Sequence, residues 1–475
     1  MKEFIKVGII YSFVKYLVMG LGVIKSFYIA SSLGPTFLGS YAIVMLIVEY
    51  LNYSNLGVFA SMNRDVAIYL EDEKKQQYVN KVINTALSFT ILPLMVILIS
   101  FLVFEFTDLN FLPQELKEYS WMILILVVFN QLKIFSLRYL RLYSRYYELM
   151  TLEFLAQLIN LIGVILFVEK YSIDAVIWSV LISNIFFNLV AFFYVKKIKF
   201  HLNLSLIKYL IFSGFPMLLY AVILTLLSSV DRIVIAAAFE GRNSLGLYQF
   251  AFLGAQGLFM AFNSIAFLFY PRWIKHFHET DDSISKFDSI KDQSIIIEFI
   301  LALLSMIGIV FIPTFINILL PDYQLSILVT QFLLIAFIAN GLTFITSTFL
   351  ISNNHQLKIV PIVSFAVLSA LLMNYLFIWL GYGLYGIAAS TVIAFFSYAF
   401  VMTFLTLKII NAVSIKNILF FYKRLFVFVP LTVILLYEQY SLIWIFILFA
   451  VTYFGLVKEM VTRFKKIYKS KLTQI

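Results

Sequence analysis

The chain consists almost entirely of apolar runs of about 20 residues, and this pattern limits its fold more than any other feature. A helix of that length crosses a hydrocarbon layer about 30 Å thick. Of the 475 residues, 62% are hydrophobic and only 13% are charged, whereas about a quarter of the residues of a soluble protein are charged. The sequence therefore predicts an all-α, polytopic membrane protein.

About 14 transmembrane helices are predicted, because there are fourteen such runs. They lie at residues 8–31, 38–60, 82–104, 120–140, 149–168, 173–195, 208–238, 245–269, 293–314, 325–350, 359–379, 384–407, 425–437 and 440–457. The thirteenth run is short, and its apolar character extends back to Leu419. Lys and Arg are concentrated in both tails and in the even-to-odd connections. The positive-inside rule then predicts that both termini are cytoplasmic.

One short pattern occurs twice. The tetrapeptide LGSY at residues 38–41 returns as LGLY at residues 245–248, and the same offset places Lys25 on Arg232. Each copy follows a long apolar span that contains its cation. The offset equals six spans, an even number, so both copies have the same orientation in the membrane. A duplicated membrane module of this kind is typical of a transporter with two facing lobes.

The repeat predicts the domain organisation. The N-lobe would comprise residues 1–200, with spans 1–6, and the C-lobe residues 201–410, with spans 7–12. Residues 411–475 would add spans 13–14 and a basic cytoplasmic tail. Pro216, in the seventh span, is predicted to break or bend that helix and to supply flexibility where the lobes move.

Several kinds of chemistry have no motif in this sequence. The dipeptide Gly-Lys never occurs, so a phosphate-binding P-loop is absent, and direct ATP hydrolysis is not expected. There is no Cys, no zinc-protease motif and no nucleophile-elbow motif. The net charge of +10 is spread over short loops, which argues against nucleic acid as a partner. We therefore predict no enzyme activity, no catalytic residue, no metal and no cofactor.

Charged residues inside predicted spans are the candidate site. A charge at mid-membrane costs roughly 3 kcal/mol on insertion scales, so such residues usually face a cavity or a partner. In the functional interpretation, Lys25 and Arg232 face a central cavity and attract an anionic substrate such as a diphosphate. Glu49 and Asp231 are then the candidates for ion coupling. In the alternative, these side chains only neutralise one another, for example as a Lys25–Glu49 ion pair.

A second set of charges supports weaker predictions. Arg64 and Arg272 lie at the cytoplasmic ends of spans 2 and 8, nearly one repeat apart. They could form a basic mouth that receives phosphate from the cytoplasmic leaflet. Alternatively, they could be present only because Lys and Arg are enriched on the cytoplasmic side of membrane proteins. Lys15 is a further candidate for binding the anion, although Lys15, Glu153 and Glu298 fit structural roles equally well.

Several segments resemble a known family, through the order and spacing of spans more than through long motifs. The elements are LGP at 33–35 with Gly39 and Tyr41; Ser213, Gly214 and Pro216 followed by Asp231-Arg232 and by Gly246 and Tyr248; and Gly381 with Gly386, Ala388, Ala389 and Ser390. Together they resemble the polysaccharide-flippase (Wzx-type) branch of the multidrug/oligosaccharidyl-lipid/polysaccharide (MOP) exporter superfamily. The family often has an Asp near the end of span 2, where this sequence has Asn55, so any coupling role there is in doubt.

The resemblance implies a function and its setting. It implies a flippase of the bacterial cytoplasmic (inner) membrane that moves an oligosaccharide on a polyprenyl diphosphate to the outer leaflet, for O-antigen or similar surface polysaccharide. Membrane lipids and the polysaccharide polymerase and chain-length machinery would be its partners. The main alternative is a multidrug or organic-cation antiporter of the same superfamily. A membrane-bound glycan polymerase or ligase and a non-transporting scaffold are alternatives of other classes.

Overall fold

The computed structural model is helical throughout, and it describes residues 2–105, 113–195, 199–279, 282–353 and 355–472. No strand occurs in these ranges, which contain fifteen α-helices. They are α1 (Lys2–Leu51), α2 (Val58–Tyr69), α3 (Gln76–Phe89), α4 (Ile91–Glu105), α5 (Gln114–Glu118), α6 (Ser120–Leu142), α7 (Tyr146–Tyr194), α8 (Leu204–Ala238), α9 (Asn243–Glu279), α10 (Ser283–Leu319), α11 (Ser326–Ser352), α12 (Ile359–Trp379), α13 (Gly383–Ile409), α14 (Ile415–Tyr437) and α15 (Leu442–Leu472). The predicted all-α fold is confirmed.

Two long helices, α1 and α7, each contain two predicted spans joined at one residue with non-helical backbone. That residue is Gly34 in α1, with φ +70°, and Ser172 in α7, with φ +48°. Glycine adopts positive φ without the steric penalty of a Cβ atom, which explains why the sequence has Gly34 before Pro35 at this turn. Ser172 has no such freedom, so the turn inside α7 is held by the packing around it.

The helices account for all fourteen predicted spans. Within the described ranges, ten helical segments are long and apolar enough to cross a membrane, and two of them, Ile10–Asn55 and Tyr146–Tyr194, hold two spans each. The segment Leu442–Val457 and the helix α9 account for the other two. The thirteenth span begins earlier than its apolar core, since the Ser414 side chain caps α14 by accepting a 3.1 Å hydrogen bond from the Asn417 amide.

The second span is interrupted, although the sequence predicts one helix over 38–60. After α1 ends, a 3₁₀ turn at Asn52–Asn55 leads to Leu56 and Gly57, which have φ of +48° and +81°. The Gly57 amide donates to the Asn55 side-chain oxygen at 3.1 Å. Gly57 lies directly against the backbone of Gly214 in α8, where neither position has room for a Cβ atom. The break therefore lets two backbones touch.

The helix α8 is continuous through Pro216, so the predicted break is wrong, while the predicted bend stays a prediction. Its described backbone is helical from Leu204 to Ala238 with the proline inside. One carbonyl near the proline, that of Leu210, accepts a 2.6 Å hydrogen bond from the Ser61 hydroxyl of α2. The hydrogen bond from α2 thus holds α8 on the N-terminal side of the Gly57–Gly214 contact.

The contacts divide the chain into two compact units, residues 1–250 and 251–475. In the first unit, α2, α3, α6 and α8 share an apolar core that includes Phe59 and Phe135, and α1 packs along α7. The lobe boundaries predicted at residues 200 and 410 stay predictions. The two units are sets of helices that touch one another, whereas the predicted lobes are sets of helices that move together.

In the second unit, a buried ion pair attaches the last two spans. Arg424 of α14 donates two hydrogen bonds, at 3.0 and 2.7 Å, to the Glu298 carboxylate of α10. Tyr453 of α15 adds a third at 3.2 Å, and its ring stacks on Phe449 at 4.9 Å. The Glu298 side chain is only 2% exposed. Glu298 therefore has the structural role that the sequence left open for it.

Removing one partner of this pair should destabilise the second unit. Arg424→Ala leaves the Glu298 carboxylate buried and unpaired, which typically costs about 3–5 kcal/mol. We expect a lower thermal unfolding midpoint and less folded protein on size-exclusion chromatography in detergent. Lys416→Ala, at an exposed position of the same helix, is the control. Equal midpoints for the two variants would contradict the role of the pair, and Glu298→Leu with Arg424→Leu should recover much of the loss.

Candidate functional site

Most of the predicted site residues lie in the first unit. Lys15, Lys25 and Glu49 are on α1, Arg64 is on α2, and Asp231 and Arg232 are on α8. Arg272 is on α9 in the second unit, and its side chain lies outside the described residues. Of the two arginines predicted to form the basic mouth, only Arg64 therefore has a described side chain.

The two copies of the repeated tetrapeptide contact each other reciprocally. Gly39 lies against the backbone carbonyl of Arg242, and Gly246 lies against the backbone carbonyl of Pro35. Gly39 and Gly246 are equivalent in the repeat, as are Pro35 and Arg242. A contact in which each partner uses the same surface is the sign of local two-fold symmetry. We call the end of the helices at which this contact and Gly34 lie the Gly34 end.

An ion pair adjoins the glycine contact at the Gly34 end. Arg242 donates to both carboxylate oxygens of Glu115 in α5, at 2.6 and 2.9 Å. Glu115 is buried, with 5% of its surface exposed. Such a two-point guanidinium–carboxylate contact is among the stronger and more directional ion pairs. The sequence analysis missed it, because nothing in the spacing brings residue 115 to residue 242.

Arg232 lies in a buried polar cluster. Its Nη1 donates to Gln249 Oε1 at 3.2 Å, and its Nη2 donates to the Ser228 carbonyl at 3.3 Å. The neighbouring Asp231 accepts a 2.8 Å hydrogen bond from the Tyr248 hydroxyl. Adjacent helical positions point about 100° apart, which is why Asp231 and Arg232 have different hydrogen-bond partners.

Two tyrosines, one at the end of α1 and one in the 3₁₀ turn after it, align this part of the chain with α8. The Tyr50 hydroxyl is 2.6 Å from Ser229 Oγ, and the Tyr53 hydroxyl is 2.6 Å from Thr225 Oγ1. Thr225, Ser229 and Arg232 are spaced four and three residues apart, so they share one face of α8. Glu49 precedes Tyr50, so it lies on the part of α1 that is next to Ser229. The Glu49 side chain itself is exposed.

Lys25 has different neighbours from Arg232. In the part of the chain that the structure describes, Lys25 makes no hydrogen bond and no ion pair, so the suggested Lys25–Glu49 pair is not formed. Arg232, in contrast, donates to Gln249 and to the Ser228 carbonyl.

Lys15 and Lys133 are two further cations inside the first unit. Lys15 Nζ is 2.6 Å from Glu153 Oε1, which supports a structural role for both residues. Lys133 Nζ donates to Asn184 Oδ1 at 2.8 Å, and Asn184 Nδ2 in turn donates to Asn130 Oδ1 at 2.6 Å. The sequence analysis did not single out Lys133. The sequence feature that could have identified Lys133 is its position inside the predicted fourth span, seven residues before the end of that span.

Arg64 is held by its own neighbour in sequence. Its Nε and Nη2 donate to Asp65 Oδ1 at 2.9 and 2.5 Å, and Nη2 also donates to the Tyr209 hydroxyl at 3.0 Å. Hydrogen bonding to Asp65 raises the pKa of Arg64 above its usual value. Tyr78 donates to the other Asp65 oxygen at 3.0 Å. Arg64 is thus already neutralised, which makes it a weaker candidate for an anion than Lys25.

No group of three or more metal-ligating side chains occurs among the residues that the structure describes. The charged side chains of the described site are Lys25 on α1 and, on α8, Asp231 and Arg232 with their partners Tyr248 and Gln249.

Comparisons with known proteins agree with this description. The family model described as polysaccharide biosynthesis protein matches residues 4–277, more than half of the chain. No curated protein sequence matches.

Solved structures with a similar fold include transporters of two kinds. The lipid II flippase MurJ, in an inward closed conformation, is 17% identical with a TM-score of 0.61, over 94% of this chain and 100% of that one. An inward-facing multidrug resistance MATE family transporter of the MOP superfamily is 15% identical with a TM-score of 0.64, over 83% and 94%. A MOP superfamily transporter from Pyrococcus furiosus is 15% identical with a TM-score of 0.52, over 85% and 94%.

Identities this low show the fold alone, while the family follows from the model match. The predicted fold class and the predicted multi-pass membrane character are confirmed by the helices and by these neighbours. The resemblance noted in the sequence is confirmed as well. The chain belongs to the polysaccharide biosynthesis protein family.

Proposed function

We propose that this protein is a flippase for an oligosaccharide linked to a polyprenyl diphosphate. It would move the lipid-linked saccharide from the cytoplasmic to the outer leaflet of a bacterial inner membrane, for assembly of a surface polysaccharide. The observation that supports this most is Lys25, a cation inside a span that has no hydrogen bond or ion pair within the described ranges. A diphosphate supplies the negative charge that such a cation needs.

The mechanism is alternating access by the two predicted lobes, residues 1–200 and 201–410. Both termini would be cytoplasmic, so the Gly34 end would face the outside. The reciprocal glycine contact and the Glu115–Arg242 ion pair would then close the outer entrance. The glycine contact joins the turn between spans 1 and 2 to the turn between spans 7 and 8, and the ion pair joins that second turn to α5, between spans 3 and 4. Opening toward the outer leaflet would require both contacts to separate.

Transport would be driven by an ion gradient, because no ATP-binding motif is present. One charge that crosses 100 mV gains about 2.3 kcal/mol. Glu49 is the better coupling candidate, since its side chain is exposed, whereas Asp231 already accepts a hydrogen bond from Tyr248.

The membrane partners follow from this role. Lipid-linked oligosaccharide and membrane lipids would contact the protein directly, and a polysaccharide polymerase with its chain-length machinery would act on the delivered saccharide. The chain itself would have no enzyme activity.

The alternative function is antiport of drugs or organic cations. It is favoured by the exposed carboxylate of Glu49 and by the fold shared with a multidrug resistance MATE family transporter. Export of cationic dyes by cells that express the wild-type protein would favour this alternative. Unchanged dye retention would favour the flippase.

Loss of both anion-binding candidates should block flipping. Lys25→Ala with Arg232→Ala removes two cation–phosphate contacts, and hydrogen bonds to charged groups contribute about 1.5–3 kcal/mol each. We expect at least a tenfold accumulation of lipid-linked saccharide on the cytoplasmic side, measured by mass spectrometry together with surface polysaccharide. Lys170→Ala, at an exposed position of α7, is the control. Normal surface polysaccharide in the double variant, at normal protein levels, would overturn the proposed site.

A methyl group at the glycine contact should open the Gly34 end. Gly246→Ala places a Cβ atom against the Pro35 carbonyl, and overpacking of this kind costs about 1–3 kcal/mol. The chain has no native Cys, so Ser40→Cys can be labelled alone with a membrane-impermeant maleimide. We expect labelling from outside to become several times faster in the Gly246→Ala background.

The matched control is Gly20→Ala. No atom lies within 4 Å of the Cβ position at Gly20, so this change should leave the labelling rate of Ser40→Cys as it is. If Gly20→Ala and Gly246→Ala accelerate labelling equally, the glycine contact does not close the outer entrance.

A further inference from the structure

A cavity of about 500 Å³ lies between the two halves of α7, beside the turn at Ser172. Cavities of this size are typical of sites for small molecules. Most of the lining is apolar, and Asp174 is its one charged side chain among the described residues. The side chains that line it on both halves include Leu166, Phe167, Tyr171, Asp174, Trp178 and Ile182.

The cavity opens on an apolar face of α7. Leu166 is 65% exposed and Ile182 is 51% exposed, although both residues belong to predicted membrane spans. Exposed apolar side chains at that position face the hydrocarbon of the bilayer, and a large exposed apolar patch marks a surface that contacts a membrane or a partner. An occupant of the cavity therefore enters from the bilayer.

The two halves of α7 meet beside the cavity at Gly163 and Ser179. A Cβ atom at Gly163 would lie 2.6 Å from the Ser179 hydroxyl oxygen, so glycine is needed for this close approach. The Ser179 hydroxyl donates to the Ala175 carbonyl at 2.6 Å. Its proton is thus used within α7, and Asp174 is left as the charged group that a ligand can meet.

Asp174 makes no hydrogen bond and no ion pair in the part of the chain that the structure describes. Its charged neighbours in sequence have contacts of their own. Glu169 accepts a 3.2 Å hydrogen bond from the Tyr28 hydroxyl, and Lys170 Nζ lies 5.2 Å from the centre of the Tyr171 ring. The Asp174 carboxylate is therefore available to a cation from outside the chain.

The second half of α7 presents its lining in a fixed order. Asp174, Trp178 and Ile182 are spaced four residues apart, so they share one face of the helix. Ile182 lies about 12 Å from Asp174 along the axis, at 1.5 Å per residue. The face thus leads from a carboxylate near the end of the span, past an aromatic ring, to an aliphatic side chain. An amphiphile with a cation at the membrane surface and a chain below it has the same order.

We propose that this cavity binds a membrane phospholipid whose headgroup contains an ammonium group. The ammonium donates to the Asp174 carboxylate and lies against the face of the Trp178 ring, which attracts cations. One acyl chain lies in the cavity beside Leu166 and Ile182. The predicted cytoplasmic termini place the site in the outer leaflet. None of these residues is among the charges assigned to the lipid-linked saccharide, so the site goes beyond the proposed function.

The test is retention of lipid by the full chain during purification in dodecyl maltoside. The protein is first mixed with equal amounts of phosphatidylethanolamine and phosphatidylglycerol that have the same acyl chains. Native mass spectrometry should show several times more phosphatidylethanolamine on the wild type. Asp174→Asn and Trp178→Ala should each lower its retention. For Asp174→Asn we expect about threefold to tenfold, the range from an exposed ion pair to a charged hydrogen bond.

The matched control is Asp322→Asn. This position is also exposed and does not line the cavity, so the change should leave the retention of phosphatidylethanolamine as it is. Asp174→Glu keeps the charge and should retain most of the lipid. Because Asp174 is exposed, the thermal unfolding midpoints of these variants should equal that of the wild type.

Three results would overturn the proposal. The first is equal retention of the two phospholipids by the wild type, a measurement that needs no variant. The second is wild-type retention of phosphatidylethanolamine by either Asp174→Asn or Trp178→Ala. The third is binding of tetraphenylphosphonium that Asp174→Asn abolishes, without retention of phosphatidylethanolamine by the wild type. That result would assign the cavity to a free organic cation in place of a lipid.

Discussion

An ionised side chain in a hydrocarbon layer must be neutralised by a partner or must face water, since its desolvation costs several kcal/mol. This requirement organises the interior of both units. Glu298 and Arg424 satisfy each other in one unit, and Lys15 and Glu153 do so in the other. Where the requirement is met, the charges serve to attach helices. Lys25 departs from this pattern, and for that reason it has the strongest claim to a ligand.

The repeat has two different effects on the structure. Equivalent glycines form a symmetric contact between the two copies, whereas the charged side chains inside the copies differ. Gly39 and Gly246 occupy equivalent places, and each packs on the carbonyl of the other copy's turn. Only glycine permits two backbones to approach so closely. The cation Lys133, by contrast, has the neutral Asn340 as its counterpart. The two copies thus share the glycines of the close contact between their turns, but they differ in their charged residues.

The sequence was sufficient to predict the fold and insufficient to predict the partners within it. The spans follow from local composition, which is why all fourteen lie on helices. The repeat offset correctly aligned the two turns that meet. The Tyr50–Ser229 contact could not be derived, because the register of α1 against α8 depends on packing between distant segments. For the same reason the Glu115–Arg242 pair and the break at Gly57 were missed.

The Glu298–Arg424 pair has a consequence for how the protein is made. The two residues are 126 positions apart, and a ribosome that adds about 5–20 residues per second separates their synthesis by roughly 6–25 s. During that interval the carboxylate of a newly inserted helix has no guanidinium to meet. It must be protonated or remain beside the insertion machinery until α14 is synthesised. The second unit is therefore complete only after the last two spans have been synthesised. A chain that ended before them would leave the Glu298 carboxylate without its guanidinium partner.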